Sequence, residues 1–405
     1  MTRTVLTGGV VFDGTGTAPS PADVAIEDGH VVEVGSGLDG DESIDCTDKL
    51  VTPGLIDCHV HFMADGNFSP TNHAQTPFSM NFFNAAERME RTLACGITSV
   101  REAGGTDLGV KEARDNGLIA GPKMQLSIAI LSQTGGHGDK WAVCGAHMPG
   151  MMDCHPGRPH NIVDGPEEMR KKVRELIRAG ADVIKVCTSG GVLSPRDDPQ
   201  HPHFMPDELD VLVAEASAAH RFVMAHAQAT DGIKNAVRAG IRSIEHGIFM
   251  DDEAIEMMLE AGTWLVPTLI APRGVLEAAD AGIDMPDAII QKARDVVEVH
   301  RESIARCIEA GVKIAMGTDS GVTPHGRNLT ELSEMTSLGM SDQATWEAST
   351  RVAAELMGID DTTGTLEPGK VADIAIWDDT DLDVADLKAR VHTVIQDGKI
   401  VVNTA

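Results

Sequence analysis

With 405 residues the chain is long enough for a barrel of about 250 residues and a smaller attached unit. A formal net charge of -29 would repel nucleic-acid phosphates, and no apolar run approaches the roughly 18 residues that cross a bilayer, so neither partner is expected. Seven scattered cysteines and an N-terminus broken by Gly8 and Gly9 before any leader-peptide core point to reduced thiols and a cytoplasmic protein.

Residues 3 to 50 read as short strands with turn glycines, at Thr4–Leu6, Val10–Phe12, Val24–Glu27 and His30–Val34. Such a segment is too small to fold alone. The same texture returns at Gly364–Trp377 and Val391–Val402, with Asp397-Gly398 as a hairpin signal. Residues 1–52 and 364–405 are therefore expected to form one β-sandwich, enclosing a domain over 53–363.

Within that domain, strands alternate with amphipathic helices, the rhythm of β/α units and a parallel sheet. Eight strands are expected: Leu55–Phe62, Ile97–Glu102, Met124–Ile130, Asp182–Thr188, Phe222–Ala227, Arg242–His246, Trp264–Leu269 and Lys313–Asp319. Several helices end in Ala-Gly, at Gly180, Gly240, Gly262 and Gly311, where glycine can close the last turn. The fold class is α/β, a distorted (β/α)8 barrel. Two connections, Ser132–Gly165 and Ser189–Met205, are long enough to suggest functional lids. In the first, Met148–Met152 would suit an apolar cover over a bulky ligand or a subunit contact.

Polar residues at the C-terminal tips of barrel strands face the active site. Strand 1 ends in His59 and His61, whose spacing of two puts both imidazoles on one side. Strand 4 carries Lys185, strand 5 carries His226, strand 6 ends in His246 and strand 8 ends in Asp319. Taken singly, each has an ordinary reading as a core histidine or a cap. Lys185 does not, because an unpaired lysine among apolar neighbours costs several kcal/mol to bury. Together the nitrogen and oxygen donors suit zinc or a similar divalent ion.

The whole pattern resembles the amidohydrolase superfamily: Pro-Gly-Leu-Ile-Asp-Cys-His-Val-His at 53–61, then Lys185, His226, His246 and Gly-Thr-Asp-Ser at 317–320. In the binuclear members this implies that His59 and His61 hold one metal and His226 and His246 the other. Lys185, carboxylated on its ζ-nitrogen, would bridge both, and Asp319 would bind the first metal and shuttle a proton. A hydroxide shared by two divalent ions would then attack an amide-type C–N bond. Ile184–Pro195, His203–Leu209 and Thr134–Asp139 resemble the prolidase-like, arginine-carboxypeptidase-like and imidazolonepropionase-like branch, with its ochratoxin- and phenylurea-hydrolysing relatives. By that likeness His137 contacts the substrate and acts in catalysis.

Peptide-cleaving members of this branch carry a tyrosine two residues after the strand 5 histidine, where this chain has Gln228. A shorter amide donor there leaves room for N-acyl amino acid, anilide, carbamate, urea or ester substrates beside dipeptides. Lys140, Arg158, Arg196, Arg273 and Arg327 are the basic candidates for a substrate carboxylate, and His147, His155, His160, His201, His203 and His325 share the loops. Two other readings stand beside this one: a mononuclear cyclic-amide hydrolase or deaminase needing only His59, His61, His226 and Asp319, and a metal-free binding protein on the same fold. The resemblance also implies a homo-oligomer such as an octamer acting on a small molecule.

Overall fold

A computed structural model of the chain describes residues 2–67, 69–147 and 153–404, so Met148–Met152 lies outside the described residues. The N-terminal strands are β1 (Thr4–Val11), β2 (Ser20–Glu27), β3 (His30–Gly35), β4 (Glu42–Asp45) and β5 (Leu50–Pro53). Eight shorter strands then alternate mostly with helices: β6 (Leu55–Val60), β7 (Ile97–Glu102), β8 (Lys123–Leu126), β9 (Ile130–Leu131), β10 (Val183–Cys187), β11 (Phe222–Ala227), β12 (Ser243–His246) and β13 (Trp264–Val266). The chain closes with β14 (Ile374–Trp377), β15 (Val391–Gln396) and β16 (Lys399–Asn403).

The two chain ends share one eight-stranded sheet, ordered β16-β15-β14-β5-β1-β2-β3 with β4 beside β1. β1 divides its partners: Thr4–Thr7 runs along β4 and Val10–Val11 along β5, with an irregular step between Leu6 and Gly9 on its other side. The β2–β3 turn at Gly29 packs on the backbone of Asp397, so the sheet curls instead of lying flat. Leu6, Val24, Ile26, Val51, Ile374 and Ile395 fill the core it encloses. The strands of both chain ends are thus joined in one continuous curled sheet, because β1 and β5 carry the ladder straight on into β14.

The central strands form two parallel sheets, β6-β7-β8 and β9 to β13. The third expected strand is split into β8 and β9, since Ile128 has φ of 69° and its left-handed backbone cannot continue a ladder. The eighth is not a regular strand. Its residues still hydrogen-bond both ways: Cys58 N to Met316 O at 2.9 Å and Asp319 N to His59 O at 2.7 Å on one side, Leu265 N to Lys313 O at 2.8 Å on the other. The sheets are therefore not one closed ladder. A Cβ on Gly317 would come within 2.3 Å of Val266 Cγ1, which shows how tightly this segment is wedged.

Helix chemistry follows the sequence locally. Asp107 and Asp251 cap helices Leu108–Asp115 and Asp252–Ala261 by accepting from Val110 N and Ala254 N. Gly180, Gly240, Gly262 and Gly311 all have positive φ at helix ends. Helix Met80–Leu93 buries Ala85, Met89, Thr92 and Leu93, one stripe at helical spacing. The main core joins the end sheet through Trp346, fully buried between Phe12 and Trp377, whose ring centroids lie 6.3 and 5.3 Å away. Truncating such a residue to alanine costs about 3–5 kcal/mol. Among the described residues no helix is long and apolar enough to cross a membrane.

Candidate active site

His59, His61, Lys185, His226, His246 and Asp319 all line one cavity of about 290 Å³. Strand periodicity delivers most of them: His59 on β6 and His61 just past its end, Lys185 and Cys187 on β10, and His226 followed by Gln228 from β11 each point inward at a spacing of two. β12 breaks that rule. Glu245 takes the inward position and bonds His59, and His246 reaches the cavity because its backbone is left-handed, with φ of 74°. Thr268 and Asp319 share that strained region at 53° and 55°. Non-glycine residues there mark places where the surroundings overrule local preference, which is common at functional sites.

The histidine partners decide what the site can hold. His59 Nδ1 donates to Glu245 Oε2 at 2.8 Å and His61 Nδ1 to the Gly104 carbonyl at 2.7 Å. When neutral, each ring therefore turns an Nε2 lone pair inward. These nitrogens face Asp319 Oδ1 at 3.6 and 3.2 Å, and that buried oxygen has no hydrogen-bond partner among the described residues. Two ring nitrogens and a carboxylate oxygen thus meet, and His59, His61 and Asp319 form a group that could hold a metal ion. The donor set fits the ion.

The remaining donors extend from this group. Lys185 Nζ lies 3.5 Å from His59 Nε2, and burial lowers its pKa. His246 Nδ1 bonds Thr268 Oγ1 at 2.7 Å, and its ring centroid is 5.2 Å from that of His59 and 4.6 Å from that of His226. His226 Nε2 donates to Gly190 O at 3.0 Å, leaving Nδ1. Burial takes His59 down to about 4 and both His226 and His246 well below the usual range, so all three rings are neutral near pH 7. Burial also works against a charged His61, but the Asp319 carboxylate 3.2 Å from its Nε2 outweighs it and raises that pKa, so a metal ion bound here has to displace a proton from this ring.

A profile of the amidohydrolase family matches residues 50–401. The chain belongs to that family. Ochratoxinase of Aspergillus niger is 34% identical over 405 residues, spanning 94% of this chain and 82% of that one. A Xaa-Pro dipeptidase crystallised with methionine in its active site has a TM-score of 0.89 and 32% identity over 98% of this chain and 99% of its own. A prolidase in complex with N-methylphosphonate-L-proline has a TM-score of 0.89 and 34% identity over 99% and 100%. As an amidohydrolase the protein is a hydrolase of C–N bonds.

The structure separates the amidohydrolase's other candidate residues. His137 and Gln228 line the cavity, and Gln228 Oε1 is buried without a hydrogen-bond partner among the described residues. Of the five basic candidates, Lys140 and Arg196 reach the cavity. Arg158 is buried on the carbonyls of Gly105 and Asp153, Arg273 is paired with Glu334, and Arg327 with Glu277. None of His147, His155, His160, His201, His203 and His325 lines it. His325, for example, stacks on Phe62 at 5.1 Å, while His73 and His300 take cavity positions that the loop pattern did not single out.

Of the residues beneath the site, only Asp57 lies in a quoted motif, and none was singled out from the sequence. Glu245 is fully buried and accepts from Arg101 Nη2 at 2.8 Å and Ser243 Oγ at 2.5 Å besides His59. Burial alone would raise its pKa, but Arg101 and the His59 bond prevail and pull it to about 2. Asp57 accepts from His59 N, from Thr318 N and Oγ1, and from Asn328 Nδ2, which ties β6 to the segment carrying Asp319. An acid two residues before a ligand pair was the one sequence signal for either.

Proposed function

We propose that this amidohydrolase holds two divalent ions, zinc the best fit to its donors, and hydrolyses an amide-type bond of a small molecule such as an N-acyl amino acid. The observation that carries this is the meeting of His59, His61 and Asp319 within ligating reach of one another, with buried Lys185 3.5 Å from His59 and the His226–His246 pair beside them. A lysine in that place is easiest to account for as N6-carboxylated and ligating, since carboxylation replaces a buried cation by an anion. The barrel over 53–363 then carries the chemistry, with 1–52 and 364–405 packed against it.

Bound ions there supply Lewis acidity, which makes water nucleophilic near neutral pH and polarises the scissile carbonyl. Asp319 takes the proton from the attacking water and passes it to the leaving nitrogen. His137 faces the substrate from beside this group, stacked on His226 at 4.2 Å and 14°. Gln228, with its unspent buried amide oxygen, meets a donor on the substrate or, with its amide reversed, donates to the developing oxyanion.

One observation favours a mononuclear reading: only His59, His61 and Asp319 form a close ligand group among the described residues. Elemental analysis separates the two, alongside a screen of N-acyl amino acids, Xaa-Pro and Xaa-Arg dipeptides, anilides, carbamates, phenylureas and aryl esters. Near two ions per chain with hydrolysis in that panel supports the binuclear hydrolase; near one makes Lys185 structural; no hydrolysis in a metal-loaded sample overturns the reading.

A further inference from the structure

The connection after β10 is folded around a buried carboxylate. Asp197 has a side chain 2% exposed and accepts from Gly191 N at 2.9 Å through Oδ2. Ser194 Oγ donates to its Oδ1. Lys292, from helix Asp287–Ala310, shares its three N–H groups among Asp197 Oδ1 at 3.1 Å, Gly191 O at 3.0 Å, Ser194 O at 2.7 Å and the Asp197 carbonyl. A single ammonium thus fastens four oxygens of one loop, and the carboxylate it holds is left facing His137.

His137 arrives from the connection after β9. Its Nδ1 lies 2.7 Å from Ser194 Oγ and 3.3 Å from Asp197 Oδ2. The serine hydroxyl has one proton, and that proton is directed at Asp197, so Ser194 Oγ accepts. A carboxylate can only accept. Both neighbours therefore require the hydrogen on Nδ1, which leaves Nε2 for the cavity that His137 lines. The ring is trapped between His226 and Gly191, where an added Cβ would stand 2.4 Å from its Cε1. Glycine at 191 is what makes room for it.

We propose that Asp197, anchored by Lys292, is a positioning residue for His137. It fixes the Nδ1–H tautomer and the ring plane, so that Nε2 is presented to the substrate's reacting group at a constant angle. The kinetic part of the inference rests on the hydrolase reading above; the tautomer does not.

The test joins a double-mutant cycle to a spectrum. In zinc-loaded protein labelled with ¹⁵N-histidine, with the His137 signals identified by their loss in His137→Ala, long-range ¹H–¹⁵N correlation should show Nδ1 protonated. Asp197→Asn, whose amide can donate where the carboxylate could only accept, should weaken that preference while retaining bound metal. On the best substrate of the panel, Asp197→Asn should lower kcat by about 10–100-fold, and the Asp197→Asn/His137→Ala double variant should be no slower than His137→Ala alone. Asp197→Glu, which keeps the acceptor, should retain the tautomer and recover part of the rate. A wild-type Nε2–H tautomer, multiplicative losses in the double variant, or metal loss in Asp197→Asn would overturn the proposal. Should the wild type hydrolyse nothing, the hydrolase reading fails and the spectrum alone decides this one.

Discussion

The floor and the wall of the cavity are built in different ways. The floor, with His59, His61, Lys185 and Asp319, is supplied by the ends of β6 and β10 and by the wedged segment around Gly317, and is braced from beneath by Glu245, Arg101 and Asp57, all almost fully buried. The wall, with His137, Ser194, Asp197 and Gln228, is set mostly on two long connections and held by one lysine from a distant helix. A floor of that kind keeps its geometry wherever the barrel is folded. The wall depends on particular side-chain contacts, so it is where selectivity can change without loss of fold.

That contrast can be broken most severely at the floor. Lys185→Ala should remove bound metal and lower kcat by about 10³-fold or more; two ions retained at full activity would deny it a bridging role. Glu245→Gln should weaken metal binding by about 10–100-fold, read by chelator competition. It should also destabilise the fold by about 3–5 kcal/mol, because Arg101 keeps a buried charge without its partner, and a melting temperature within a degree of wild type would count against this bracing. At the wall, Gln228→Tyr should shift kcat/KM toward dipeptides by about 10-fold at unchanged metal content; an unaltered substrate profile would remove that position from specificity. Smallest of all, Arg327→Ala should leave kcat/KM within about two-fold and stability within about 1 kcal/mol, since its partner is the half-exposed Glu277.

The same division explains what could be read in advance. The inward positions of His59, His61, Lys185 and His226 follow from period two at strand tips, a local property of the sequence. His246 also ends its strand, but what turns it inward is a left-handed backbone that no periodicity encodes. Asp197 and Lys292 are 95 residues apart in the chain, and neither belongs to a motif. Arg158 looked like a substrate residue because arginines in loops often are, whereas its guanidinium is spent on backbone carbonyls. The end sheet was legible as strands, but the continuity of β1, β5 and β14 depends on pairings across the whole domain between them.

Those pairings bear on how the molecule assembles. β5 meets β14 across about three hundred residues, with Thr52 Oγ1 and the Ala375 carbonyl separated by 323 positions. During synthesis β5 therefore presents a bare edge until the entire barrel has left the ribosome, and closing so long a loop makes this a late and slow step. The first barrel strand begins two residues after β5 ends. A ribosome pause or a truncation before β14 would leave an aggregation-prone edge directly beside His59 and His61, so the yield of active enzyme should depend on translation rate and chaperone supply more than on the strength of its barrel core.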